Sequence, residues 1–95
     1  INTQDASGNT ALMGVCFKGY SAIAKLLINS GADVNISNFN GATALIFAAT
    51  FNKPEIAALL LAHGADKSAI DDKGNTALEH AKMQSSDAVL ALLEA

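Results

Sequence analysis

The side chains best suited to chemistry in this chain are one cysteine and two histidines. Cys16, His63 and His80 could in principle act as nucleophile, base or metal ligand. Neither histidine has a Cys, Asp or Glu partner at a spacing that recurs in metal sites. Cys16 has no partner for a disulfide and no evident base. We therefore expect Cys16 to be a buried helix residue, His63 to lie in the last turn of a helix, and His80 to belong with Glu79 to a solvent-facing cap.

The acidic residues also favour structural roles. Asp33 and Asp66 each follow a Gly-Ala pair, and we expect their carboxylates to accept hydrogen bonds from the local backbone. Asp71 and Asp72 could suggest calcium, but the twelve-residue calcium loop is absent, so we expect solvated turn residues. No phosphate-binding loop, Ser-His-Asp set or pair of catalytic carboxylates can be assembled. The sequence therefore predicts no enzyme activity, no metal and no cofactor.

The composition narrows the classes of partner. The chain has 95 residues, a net charge of −3, a hydrophobic fraction of 51% and an aromatic fraction of 5%. This charge does not suit a protein that neutralises nucleic-acid phosphates. The longest apolar run, residues 56–62, is far shorter than the roughly 20 residues that span a bilayer. We expect a cytoplasmic monomer whose partner is another protein, with no nucleic acid, membrane or small-molecule substrate.

The chain repeats itself at a fixed interval. Gly8, Gly41 and Gly74 stand 33 positions apart, and each comes two places before a Thr-Ala-Leu. A second block, Gly-Ala-Asp, recurs in the same phase at residues 31–33 and 64–66. The predicted units are an outgoing arm over residues 1–4 and repeats over residues 5–37, 38–70 and 71–95.

Each unit has the pattern of two short helices. In the middle copy, Thr43 can cap a first helix with its hydroxyl. Pro54 suits the first turn of a second helix, and Gly64 follows its last apolar residue. Residues 71–74 indicate a tight turn at the tip of a finger. Such short helices are marginal alone, so stacking between repeats must supply the burial.

Taken together, Gly-x-Thr-Ala-Leu, a leucine-rich stretch and Gly-Ala-Asp at this spacing resemble the ankyrin repeat over essentially the whole chain. The resemblance implies an all-α solenoid of stacked helix-turn-helix units with β-hairpin-like finger loops. It also implies a protein-interaction module that binds through a concave groove of inner helices and finger tips. The family's usual histidine is replaced by Met13, Ile46 and Glu79, so apolar contacts must replace its hydrogen bonds in the first two repeats.

The two ends of the chain differ in polarity. The third repeat resembles a C-terminal capping repeat, because its polar residues stand where other copies are apolar or small; these are Glu79, His80, Lys82, Gln84, Ser85, Ser86 and Asp87. The first repeat looks too apolar for such a cap at Met13, Val15, Cys16 and Phe17. We therefore expect further repeats upstream.

Three phenylalanines are the leading binding candidates. The family register places Phe39 at a finger tip and Phe17 and Phe51 near the ends of inner helices, whereas Phe47 replaces a core leucine. The three rings could form an apolar contact surface, with Ile70 nearby, or could pack between neighbouring fingers. The predicted protein-binding residues are Phe17, Lys18, Phe39, Asn40, Thr50, Phe51, Asp72, Lys73, Met83 and Gln84.

Three kinds of function remain open at this point. The first is a protein-binding module acting as scaffold, adaptor or inhibitor, with Phe39 and Phe51 as anchors. The second is a mainly structural C-terminal end of a longer array whose binding site lies upstream. The third is an appendage to an enzyme encoded elsewhere in a longer chain.

Overall fold

The computed structural model describes all residues, 1–95, and contains six α-helices and no strands. The helices form three antiparallel pairs, with α1, α3 and α5 in an inner layer and α2, α4 and α6 in an outer layer. The all-helical solenoid expected from the sequence is confirmed. The helices are α1 Ala11–Lys18, α2 Ser21–Asn29, α3 Ala44–Thr50, α4 Pro54–Ala62, α5 Ala77–Met83 and α6 Asp87–Glu94.

A threonine begins each inner helix. The hydroxyls of Thr10, Thr43 and Thr76 each accept the N–H of the residue three places on, which satisfies one of the free donors of the first turn. The cap predicted at Thr43 is confirmed. In the third repeat, Glu79 also accepts from the N–H of Thr76, which completes a capping box. The departure from the family pattern at Glu79 thus strengthens this helix start.

The core lies between the two helix layers. Met13 and Ile46 are 1% and 3% exposed, so apolar packing does occupy the places of the family's histidine. Ala48, Ala49 and Ala57 are fully buried in this core, whereas Ala58 is exposed on α4. The largest fully buried apolar side chains are Leu12, Met13, Leu45, Ile56, Leu60 and Val89.

In each finger, the side chain at the same repeat position accepts two backbone hydrogen bonds and so holds the turn. One side-chain oxygen of Asp5, Asn38 or Asp71 accepts the N–H groups of the residues two and four places on. The backbone of each tip also closes on itself, as from Gly74 N to Asp71 O at 3.0 Å, so the tight turn expected at residues 71–74 is present, and no strand flanks it. Backbone bonds join successive fingers, from Phe39 N to Ser7 O at 3.1 Å and from Asp72 N to Asn40 O at 2.9 Å.

Asparagine side chains join the bases of successive repeats. The Oδ1 atoms of Asn2 and Asn35 accept from the N–H groups of Asp33 and Asp66, each at 2.8 Å. The carboxylates of Asp33 and Asp66 accept from the backbone two residues on, as predicted. The hydroxyl and the backbone N–H of Ser68 lower the pKa of Asp66 by hydrogen bonding to its carboxylate.

The two end faces of the stack differ. Ile23 is 45% exposed, whereas the residues one and two repeats on, Ile56 and Val89, are 1% and 0% exposed. The apolar N-terminal face is therefore on α2 and not at Met13 or Cys16, which are both buried inside the first repeat. At the other end Lys82 is exposed, at a position where Cys16 and Ala49 are buried.

Candidate groove for a protein partner

A single concave groove runs across the inner helices beneath the finger tips. It has a volume of about 780 Å³, within the range of protein ligand sites. All three repeats contribute to its wall. The lining residues are Asp5, Asn9, Thr10, Gly14 and Phe17 from the first repeat, Asn40, Ala42, Ile46, Phe47, Thr50 and Phe51 from the second, and Asp71, Asp72, Lys73 and His80 from the third.

An aromatic cluster occupies the edge of this groove at the ends of α1 and α3. The rings of Phe17 and Phe51 meet edge to face, with centroids 4.8 Å apart and planes at 87°. Phe47 meets Phe51 in the same way at 6.1 Å. Phe17 and Phe51 nevertheless remain 48% and 41% exposed. The rings therefore pack on one another and still present apolar surface, combining the two arrangements left open by the sequence.

Phe39 lies elsewhere. It is 69% exposed on the second finger tip and does not line the groove. Its ring lies against the preceding finger, where a Cβ on Gly8 would stand 2.7 Å from Phe39 Cδ1. Of the ten predicted binding residues, the groove brings together Phe17, Asn40, Thr50, Phe51, Asp72 and Lys73, while Lys18, Phe39, Met83 and Gln84 lie outside its lining.

Lys18 remains linked to the aromatic cluster from outside the groove. Its Nζ lies 5.8 Å from the centroid of the Phe17 ring, at the distance of a weak cation–π contact. Met83 is the last residue of α5 and is 58% exposed, and Gln84 is the C-cap of that helix, so both lie at its C-terminal end.

Sequence reasoning missed three contributors to the groove floor. Gly14, Phe47 and His80 occupy the same position in successive repeats, and all three line the groove. Phe47 is partly buried against the core, as expected, but it also faces the groove. The repeat register itself carried the signal, since it assigns the same face of each inner helix to these three residues.

His80 is not part of an outward cap, contrary to the sequence prediction. Its Nε2 lies 2.7 Å from Asp71 Oδ2, and their side chains are only 17% and 11% exposed. The hydrogen bond from the Asn75 N–H lowers the pKa of Asp71, and the bond to His80 lowers it further. Asp71 is therefore not the freely solvated turn residue expected from the sequence, because it ties the third finger to α5.

The remaining reactive side chains are held in structural settings. Cys16 is 0% exposed, and burial raises the pKa of its thiol to about 12, so a thiolate is disfavoured. His63 Nδ1 lies 2.9 Å from the carbonyl oxygen of Leu59 in the last turn of α4. No three His, Cys, Asp or Glu side chains stand close enough together to hold a metal ion. No helix has the length and apolarity needed to cross a membrane.

The geometry is thus that of a stacked helix-pair solenoid with an open groove, and comparison with known families agrees. The family model described as "Ankyrin repeats (3 copies)" matches residues 12–95. The chain belongs to the ankyrin repeat family. Ankyrin repeats are generally protein–protein interaction modules and are typically not enzymes.

Proposed function

We propose that this ankyrin repeat protein holds a partner protein in its concave groove and acts as a scaffold, adaptor or inhibitor. The observation that supports this most is the Phe17 and Phe51 pair, which lies in the groove and keeps 48% and 41% of its surface exposed. Large aromatic side chains that a partner can cover are the usual anchors of protein interfaces. Fully burying an exposed Phe side chain contributes about 1.5 to 3 kcal/mol.

The groove is already formed before any partner arrives. The Phe17 ring is held edge to face against Phe51, and the fingers are joined by backbone hydrogen bonds at their tips. A surface that needs little ordering loses less conformational entropy on binding. Asp72 and Lys73 at the rim would set orientation and association rate more than affinity, because rim charges are solvated.

The test is affinity capture from a lysate of the source cells followed by mass spectrometry. The native protein is compared with a Phe17→Ser/Phe51→Ser variant and with a Tyr20→Ser control, which removes an aromatic residue that is 52% exposed outside the groove. A partner held by the native and control proteins but lost from the double variant supports the groove. Its affinity for the double variant should fall by roughly 2 kcal/mol or more if the two rings are hot spots.

The same proteins retained by all three forms, or by none, would contradict this proposal. Thermal unfolding of each variant shows whether a lost partner reflects a lost contact or an unfolded protein. The double variant loses the edge-to-face contact and should melt at a lower temperature, but it should still unfold cooperatively. Phe39→Ser, tested alongside, asks whether the finger tip takes part although its ring lies outside the groove.

A mainly structural role is the second candidate, and the N-terminal face favours it. Ile23 and Leu26 are 45% and 65% exposed on α2, whereas Ile56, which corresponds to Ile23 in the next repeat, is 1% exposed. The cover over Ile56 comes from the preceding helix pair, so a similar pair would complete the face at Ile23. If the Phe17→Ser/Phe51→Ser variant captures the same proteins as the native chain, this structural role is favoured.

A further inference from the structure

We propose that the groove binds an extended partner segment that places an apolar side chain over Gly14 and a basic side chain against the carboxylates of the finger tips. This rests on the groove being the binding site and adds the chemistry of its partner.

Gly14 leaves an opening in the groove floor that the fold does not require. It lies inside α1, where its N–H bonds to the Thr10 carbonyl at 3.2 Å, and it is not among the residues with positive φ. A Cβ added at Gly14 would meet no atom within 4 Å, so no neighbour demands a glycine there. Glycine within a helix is destabilising relative to alanine. Gly14 weakens the helix and is not needed for packing. We therefore infer that its role is to leave space in the groove floor for a side chain of the partner.

Phenyl rings from the same helix and from the next repeat line the groove around this opening. Phe47 and His80 fill the corresponding floor position in the next two repeats, so the floor drops by a whole side chain at Gly14. Phe17 follows one turn later on the same helix and lines the same groove. Because two of these neighbours are phenyl rings, the opening suits an aliphatic or aromatic side chain and not a charged one.

The finger-tip edge of the groove is acidic. Asp5 accepts two backbone N–H groups through Oδ1, and its Oδ2 makes no hydrogen bond within the protein. The Asp72 carboxylate has no side-chain partner, and Asp71 is already paired with His80. Lys73 is the one lysine that lines the groove, and it forms no ion pair with a carboxylate of the protein. The unpaired carboxylates of Asp5 and Asp72 outnumber the single positive charge of Lys73. This charge balance favours a basic side chain on the partner.

The apolar opening at Gly14 and the finger-tip carboxylates lie at different edges of the groove. Their separation determines which side chains of the partner segment must face each edge. The carboxylates stand on the first and third finger tips, before α1 and α5, and Phe17 is near the C-terminal end of α1. A segment running along the stack in extended conformation directs alternate side chains to opposite sides. Alternating apolar and basic residues therefore match the groove.

The probes are fluorescein-labelled peptides of equal length with alternating Leu and Arg, Leu and Glu, or Ser and Arg. Fluorescence anisotropy at low salt should show tightest binding by the Leu–Arg peptide. Gly14→Leu should weaken that binding about tenfold, while its melting temperature equals or exceeds that of the native protein. Opposite effects on binding and stability are not expected of a purely structural residue.

Asp5→Asn tests the charge. Asn38 performs the same turn with an amide oxygen in the second finger, so the finger should persist. The Leu–Arg affinity should fall several-fold and depend less on salt, whereas Gly14→Leu should leave the salt dependence unchanged.

Failure of the Leu–Arg peptide to bind, equal binding of the Leu–Glu peptide, or undiminished binding to Gly14→Leu would each overturn this inference. The proposed function fails separately, when Phe17→Ser/Phe51→Ser still captures the native partner. A partner lost from that variant but held fully by Gly14→Leu leaves the groove standing and refutes the apolar site at Gly14.

Discussion

Two glycines of the first repeat should respond to the same substitution with opposite signs. Gly8 has φ of +83°, and a Cβ there would lie 2.7 Å from both the backbone N and Cδ1 of Phe39. Gly8→Ala should therefore destabilise the fold by more than about 1 kcal/mol. Gly14→Ala places its methyl in open space and should stabilise by about 0.5 to 1 kcal/mol. Urea unfolding of both variants measures the contrast, and shifts of the same sign would refute the geometry of the first finger.

The Asp71 and His80 pair should make part of the stability depend on acid. The pKa of Asp71 is lowered in the folded protein, so its contribution is complete above the ordinary carboxyl pKa of about 3.9. That contribution is lost as the pH falls through the lower folded value.

Asp71→Asn isolates this effect, because Asn38 shows that an amide supports the same finger. At neutral pH the variant should be less stable by about 1 kcal/mol, because its amide keeps the turn of the finger but loses the charge-assisted bond to His80. The stability difference between native protein and variant should shrink towards pH 2, measured by urea unfolding across the pH range. A difference that stays constant with pH would show that the carboxylate charge does not stabilise the fold.

Single residues divide clearly into those that a sequence can place and those that it cannot. The local backbone bonds of Asp33 and the burial of Cys16 follow from position within the repeat. The contact of His80 with Asp71 does not, because it forms only when the finger folds over the helix that follows it. The open space at Gly14 likewise depends on what neighbouring helices leave unfilled.

At the scale of elements, Ser86 shows how a polar residue can be a packing residue. The sequence places Ser86 among the polar residues of the capping repeat. In the structure Ser86 is 0% exposed, and its Oγ donates to the Ala49 carbonyl at 2.9 Å. This bond joins the turn before α6 to the last turn of α3. Ser86→Ala should cost about 1 to 3 kcal/mol, because it strands a buried carbonyl.

The matched control is Ser30→Ala, at an exposed helix end without a side-chain hydrogen bond. Thermal unfolding should separate the two serines clearly. Equal melting temperatures would mean that the bond from Ser86 contributes nothing.

Helices were more predictable than fingers. Thr43 and Pro54 locate two helix starts through local chemistry, namely a hydroxyl acceptor and a missing N–H. The finger shape depends on bonds between successive tips, such as Phe39 N to Ser7 O, and no single repeat encodes those. The turn within a finger is therefore predictable from its own residues, whereas the contact between fingers is not.

At the scale of the whole molecule, stability should grow with each added repeat. Residues 5–33 joined directly ahead of Ile1 would keep the 33-residue register and cover Ile23 and Leu26. Burying each side chain contributes about 1.5 to 3 kcal/mol, and stacked repeats gain stability through each new interface. The melting temperature should rise, and Ile23→Lys/Leu26→Lys in the extended chain should abolish the rise. An extended chain that melts at the original temperature would refute a stacking face on α2.

The same register explains why the architecture was predictable and the site only partly so. Glycines and threonines recurring every 33 residues fix the stack, because each performs one local task per repeat. The register assigns Gly14, Phe47 and His80 to the groove floor, but the residue type differs at each of them, so no repeated motif marks the site.

The asparagine links between neighbouring repeats also have a mechanical consequence. Asn2 and Asn35 each hold only the next repeat, so a force pulling on the two ends of the chain acts on these links in series, and each link must carry the full force. We therefore expect force to unfold the stack from an end, where a repeat has one neighbour only, and stepwise extension in a single-molecule pulling experiment would check this.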